Sequence, residues 1–183
     1  MKKIFVALMA LAAVAPLAAG TLADFSEGMG RVTTSASPKN FVERAEIGIV
    51  DDADAPTGKA LRAKLSDKKE GVKFARYDVI VRLKPEEAAK IREIAFDVRM
   101  SDRKAFGWTV IYFFKKSRTV DCLKRVIANK AFKIGEWQHF SFPIDSLGKE
   151  GQGIEMSEAG QFVITFFTYG PLEISVANIT CAE

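Results

Sequence analysis

The chain has a single histidine, His139, and only two cysteines, Cys122 and Cys181, among 183 residues. That scarcity excludes a multi-histidine metal centre and a cysteine-rich zinc site. It also leaves His139 as the sole histidine base for a nucleophilic triad, and no Gly-x-Ser-x-Gly elbow accompanies it. A phosphate-cradling glycine loop, an internal repeat and a low-complexity tract are likewise missing. Apolar residues make up 48% and charged residues 27%. That balance is too apolar for a disordered chain, and the length suits one domain with a real core.

The longest apolar run comes first. Lys2 and Lys3 precede an uncharged stretch from Ile4 to Ala19, 16 residues long. A membrane-spanning helix needs roughly 20, so the run reads as a secretory signal peptide. Small residues at Ala18 and Gly20 suit a cut after Gly20, and Thr21 with Ala23 suits one after Ala23. Residues 1–23 are thus expected to be a cleaved signal, and 24–183 a single secreted or periplasmic domain. No transmembrane anchor is expected once the signal is removed. In an oxidising compartment Cys122 and Cys181 are expected to form a disulfide. Closing that loop would contribute on the order of 4 kcal/mol in the chain-entropy model.

Charge is unevenly spread. Between Arg99 and Lys133 lie ten basic and two acidic residues; from Ile134 onward there are seven acidic and one basic. A basic middle third would suit an anionic glycan or lipid headgroup. Export, and the lack of a recognisable binding motif, argue against nucleic acid.

The body alternates as strands do. Tyr77, Val79, Val81 and Leu83 share one face of a strand over 72–83, with Arg76, Asp78 and Arg82 on the other. Ile94, Phe96, Val98 and Met100 alternate with Ala95, Asp97 and Arg99. Residues 106–114 (FGWTVIYFF) are apolar on both faces, as in a central strand. Alternation places Phe106, Trp108, Val110, Tyr112 and Phe114 together, opposite Thr109, Ile111 and Phe113. Further strands are expected over 60–65, 119–128, 137–144, 161–169 and 172–180, and Thr33 to Asn40 reads as a loop. One helix signal, Pro85-Glu86-Glu87-Ala88-Ala89-Lys90, predicts about two turns. Eight or nine strands with almost no helix predict an antiparallel sandwich or barrel.

Three segments in order carry a family resemblance. Asp24-Phe25-Ser26-Glu27-Gly28 opens the domain, and Gly58-Lys59-Ala60-Leu61 follows an acidic loop. Gly135-Glu136-Trp137-Gln138-His139-Phe140-Ser141-Phe142-Pro143-Ile144 precedes a closing Ile174-Ser175-Val176-Ala177-Asn178-Ile179. The sequence resembles the galactose-binding-like jelly-roll domains that include many carbohydrate-binding modules. The resemblance implies an all-β antiparallel jelly-roll β-sandwich with one short helix, binding carbohydrate without catalysis. It also implies a structural calcium near the chain ends, to which Asp24 and Glu27 would contribute. The family's usual Asp in the closing motif is Ala177 here, which removes one of the 6–8 oxygen ligands that calcium takes.

A sugar is held by aromatic faces against its C–H side and by polar groups around its hydroxyls. Trp108 and Tyr112 are the expected platforms, with Asp97, Arg99, Arg76, Asp78 and Arg82 as ligand-binding residues around them, a set that would suit an anionic glycan. In similar domains the Trp at position 137 packs under a loop, and His139 shares its parity on the exposed side. Three rival readings stand beside this one. The same fold would serve as an envelope protein that binds a protein partner. Asp78 and Asp97 would suit a glycosidase if they faced one another. A jelly-roll polysaccharide lyase would need Tyr112, His139 and Arg99 to converge.

Overall fold

The computed structural model describes residues 19–36, 45–67, 70–115 and 120–183. The expected signal peptide up to residue 18 lies outside the described residues, as does the part of the expected loop from residue 37 to 40. Twelve strands follow one another among the described residues: β1 (Ala19–Ala23), β2 (Val32–Ala36), β3 (Ala45–Asp51), β4 (Lys59–Leu65), β5 (Ala75–Arg82), β6 (Glu93–Met100), β7 (Phe106–Phe114), β8 (Cys122–Ala128), β9 (Gln138–Pro143), β10 (Gly148–Glu150), β11 (Gln161–Thr168) and β12 (Leu172–Ala182). One α-helix, α1 (Pro85–Ala88), separates β5 from β6.

The strands form two antiparallel sheets. Sheet A runs β3-β4-β12-β6-β9, with β1 beside the far end of β12; sheet B runs β10-β8-β7-β11-β5-β2. The expected antiparallel jelly-roll β-sandwich is thus the observed architecture. Alternation decides what lies between the sheets. From sheet A, Ile94, Phe96, Val98, Leu61, Ile174 and Val176 point inward; from sheet B, Tyr77, Val79, Ile111, Phe113, Phe162, Ile164 and Phe166 do so. Aromatic rings bridge the two layers: Phe96 lies 6.5 Å from Phe162, which in turn lies 5.0 Å from Phe113.

Four strands depart from the sequence expectation. Val32–Ala36, which overlaps the start of the segment read as a loop, pairs with β5 as an edge strand; its Ser/Thr content reflects a solvent-facing side. Strands β1, β3 and β10 also fall outside that expectation; β3 alternates Ala45, Ile47 and Ile49 with Glu46 and Gly48 at an edge of sheet A, and β10 has only three residues. The helix is one turn rather than two. Glu87 accepts from the Lys84 backbone N–H and pairs with Arg31 at 2.7 Å, closing its N-terminal end.

A bulge corrects the expected face of Phe106. Phe167 pairs with Trp108 but Thr168 pairs with Phe106, so Gly107 is the extra residue on β7. The inserted residue turns Phe106 into the core, where its ring meets Phe132 at 4.8 Å. Gly107 itself lies against β11, since a Cβ there would come 2.9 Å from the Phe167 carbonyl oxygen.

The expected disulfide is not formed. Both cysteines are free and buried. Cys181 packs in the core from β12 of sheet A, while Cys122 belongs to a separate apolar cluster on the far side of sheet B. Packed sheets stand about 10 Å apart, beyond the roughly 7 Å of Cα separation that a disulfide tolerates.

Candidate functional site

The outer face of sheet B is built from the residues that alternate out of the core. Cross-strand pairing sets them in rows. Arg76 of β5, Phe167 of β11 and Trp108 of β7 form one; Asp78, Thr165, Val110 and Val126 form the next; Ile80, Val163, Tyr112 and Lys124 the third; Arg82, Gln161 and Phe114 the fourth. Two apolar clusters result. At one end Trp108 stacks on Phe167, centroids 4.6 Å apart and planes 19° from parallel, with Phe74 edge-on to both and Tyr169 beyond. At the other, Tyr112 stacks on Phe114 at 5.0 Å, next to Val163, Ile80 and Cys122. Trp108 and Tyr112 are half-buried, so each retains exposed ring surface.

Polar groups lie between these clusters. Asp78 is buried, with 3% of its surface exposed. Its Oδ1 accepts from the Thr165 hydroxyl at 2.6 Å and from Arg76 Nε at 3.0 Å, while Oδ2 takes Arg76 Nη2 at 3.0 Å. Burial pushes the Asp78 carboxyl above its ordinary value, against the opposing bonds from Thr165 and Arg76. Further along, Lys124 Nζ lies 2.7 Å from Glu150 Oε1, and the Cys122 thiol donates to Glu150 Oε2 at 3.7 Å. Burial raises that thiol to about 11, which keeps it a protonated donor. The Tyr112 phenol is also raised, chiefly by burial.

The structure divides the expected ligand-binding residues between two faces. Trp108, Tyr112, Arg76, Asp78 and Arg82 share the outer face of sheet B. Asp97 and Arg99 lie on β6, on the outer face of sheet A, and do not join them. There they have other tasks. Arg99 and Arg62 both bind Asp52, and Arg62 reaches Glu173 at 3.3 Å, so the 52–58 loop is tied down onto the sheet. Arg99 also sits 5.1 Å over the ring of Trp137, which packs against Ala55, Ala60 and Ala177 under that loop. Asp97 accepts from Asn178 Nδ2 at 3.0 Å and faces His139 Nδ1 at 3.0 Å across the β6–β9 ladder.

Two rival chemistries lose their geometry with this division. Asp78 and Asp97, on opposite sheets, cannot flank one glycosidic bond. Tyr112 on sheet B cannot converge with His139 and Arg99 on sheet A. Parity places these residues correctly within their strands; which sheet a strand joins depends on long-range pairing that alternation does not encode. Phe74, Phe167 and Tyr169 escape a sequence reading for a related reason. Phe167 shares the parity of Gln161 on a strand that reads only as apolar; Phe74 and Tyr169 fall within the expected strands but just beyond the observed ends, where alternation alone does not bring them beside Trp108.

Asp24 and Glu27, the residues expected to contribute to a calcium site, lie in the connection between β1 and β2. Asp24 Oδ1 is occupied by Ser26, accepting from its N–H at 2.9 Å and its hydroxyl at 2.8 Å. Those bonds lower the Asp24 carboxyl. Among the described residues no group of three His, Cys, Asp or Glu side chains is placed to share a cation. Asp24 and Glu27 belong to a loop around a depression of about 460 Å³, lined by residues 21–31.

No family model matches the sequence, and no curated protein matches it by sequence. Solved structures do. A family 11 carbohydrate-binding module of the cellulosomal cellulase Lic26A-Cel5E of Clostridium thermocellum superposes with a TM-score of 0.62 at 13% identity, over 92% of this chain and 96% of that one. The family 11 module from the same organism in complex with a β-1,3-1,4-mixed-linked tetrasaccharide gives 0.60 at 14% identity, over 92% and 97%. A family 61 module in complex with β-1,4-galactotriose gives 0.51 at 13%, over 87% and 94%. The resemblance read from the ordered motifs therefore holds at the level of the fold: this chain has the jelly-roll β-sandwich of the carbohydrate-binding modules.

Proposed function

We propose that the protein is a secreted, noncatalytic glycan-binding module that holds sugar rings on the outer face of sheet B. The observation that carries this reading is the aromatic group Phe74, Trp108, Phe167 and Tyr169 standing beside the oriented Arg76–Asp78–Thr165 set. Aromatic surface supplies stacking against the apolar face of a pyranose, and fixed polar groups read its substituents. The solved modules bound to oligosaccharides support glycan as the ligand class. The test is a broad glycan array with wild-type protein and Trp108→Ala. Binding by the wild type that the folded variant loses is the expected result; equal binding by both would move the site off this face.

One observation favours a second reading, a protein-binding sandwich. Val126 lies on the same face with 56% of its surface exposed, next to buried Val110. An apolar side chain so exposed suits a partner surface. A silent glycan array would shift weight to this reading.

Export is proposed from the N-terminal run, and the fold bears on where the signal is cut. Leu22 of β1 is buried in the core and β1 pairs with β12. A cut after Gly20 keeps Leu22 in the domain, whereas one after Ala23 removes the strand.

A further inference from the structure

We propose that the outer face of sheet B selects a glycan whose rings carry oxyanions, uronate carboxylates or sulfate esters, over a neutral one. The inference rests on the glycan-binding reading and concerns which sugars the same face accepts.

The carboxylates of this face are engaged by its own donors, while several of its cationic and N–H donors are not. A neutral sugar hydroxyl both donates and accepts, so a face that holds neutral sugars needs free acceptors as well as free donors. Carboxylates are the strongest acceptors a protein has, and this face carries two, Asp78 and Glu150. Both are spent. Asp78 uses Oδ1 on Thr165 and Arg76 Nε, and Oδ2 on Arg76. Glu150 uses Oε1 on Lys124 and Oε2 on the Cys122 thiol.

Donors remain. Arg76 binds Asp78 side-on through Nε and Nη2, which leaves Nη1 without a partner and the side chain 28% exposed. Arg82, exposed at the far end of β5, has no ion pair among the described residues. The Trp108 indole N–H has no hydrogen bond among the described residues. Oxyanions only accept, and they match a surplus of N–H donors. A planar guanidinium fork suits them best, because its paired N–H groups meet two oxygens at once.

Placement agrees with this. Arg76 shares a row with Phe167 and Trp108, so a ring stacked on those aromatics would turn its substituent toward Nη1. The Asp78–Thr165 pair holds the guanidinium in that orientation from below, so little rotamer freedom is lost on binding. Arg82 follows six residues along β5, about 20 Å at strand rise. A polymer charged on successive rings would reach both.

The test uses the mature protein and two matched pairs of polymers: polygalacturonate against its fully methyl-esterified form, and a sulfated galactan against its desulfated form. Isothermal titration at low and at moderate salt reads the affinities. The expected result is tighter binding of the charged member in one pair, by about tenfold or more, which identifies carboxylate or sulfate as the source, with the preference shrinking as salt rises. Arg76→Gln should collapse that ratio toward one, and Arg82→Gln, at an exposed position, should reduce it without disturbing the fold. Equal affinity for charged and neutral members of both pairs overturns the inference. If neutral glycans still bind and Trp108→Ala abolishes them, the binding reading survives that outcome. If no glycan binds at all, both fail.

Discussion

Trp108 and Phe167 stand side by side on neighbouring strands, ring centroids 4.6 Å apart and 19° from parallel, on the face of sheet B that turns away from the core. The bulge at Gly107 lies just beyond this pair and turns Phe106 the other way, into the core. Without the extra residue, strict alternation would send Phe106 out with Trp108 and leave the core short of one ring.

Gly107→Ala should destabilise the fold by about 1–3 kcal/mol, the usual range for forced overpacking. The added methyl would lie 2.9 Å from the Phe167 carbonyl and 3.2 Å from the Tyr169 ring, so β11 must give way. Urea denaturation checks this, and an unchanged midpoint would contradict the close approach of the two strands.

Asn178 adopts a left-handed backbone at φ 47° and donates to buried Asp97. Asn178→Ala removes the donor and places an ordinary side chain at strained φ, so a loss of roughly 1–3 kcal/mol is expected. Asn178→Gly should lose less, because glycine accepts the backbone angle. Equal losses for the two variants would show that the backbone angle contributes nothing.

Burial raises the Asp78 carboxyl, so the folded protein takes up that proton more readily than the unfolded chain. Stability from this group is then full below the ordinary aspartate pKa of about 3.9 and is lost as pH rises through the raised folded value. Asp78→Asn has no such dependence. Across about pH 3.5 to 7, the melting temperature of wild type should fall relative to the variant as pH increases. A relative change in the opposite direction would mean that the bonds from Arg76 and Thr165 outweigh burial.

Much of the fold was legible in the sequence, and the reason differs from feature to feature. Tyr77, Val79 and Val81, or Ile94, Phe96 and Val98, alternate cleanly because each strand lies inside a sheet with one face in the core. The expected central strand over 106–114 is flanked by β8 and β11, and Ile111 with Phe113 supplies its core side. Trp137 packs under the 52–58 loop, as similar domains suggested. What alternation could not supply was partnership. Asp78 and Asp97 obey the same local rule, each facing away from the core on its own strand, yet β5 and β6 belong to different sheets.

The cysteines follow from the same gap, since sequence spacing says nothing of a sandwich thickness between them. Thiol titration of purified protein should find little reaction in the native state, because both groups are buried and both thiols are raised chiefly by burial. Both Cys122 and Cys181 should react on unfolding. No reaction on unfolding would mean that the bridge forms after all.

If the signal is cut after Gly20, the intact mass of exported protein should correspond to a chain starting at Thr21. A chain starting at Asp24 would have lost β1 and with it buried Leu22.

Backbone amide chemical-shift mapping during titration with a bound glycan would locate the site outright. Perturbations should concentrate on β5, β7 and β11, around Arg76, Trp108, Tyr112 and Phe167. Perturbations confined to β4, β6 and the 52–58 loop, around Arg62 and Arg99, would put the ligand on sheet A and refute a binding face on sheet B.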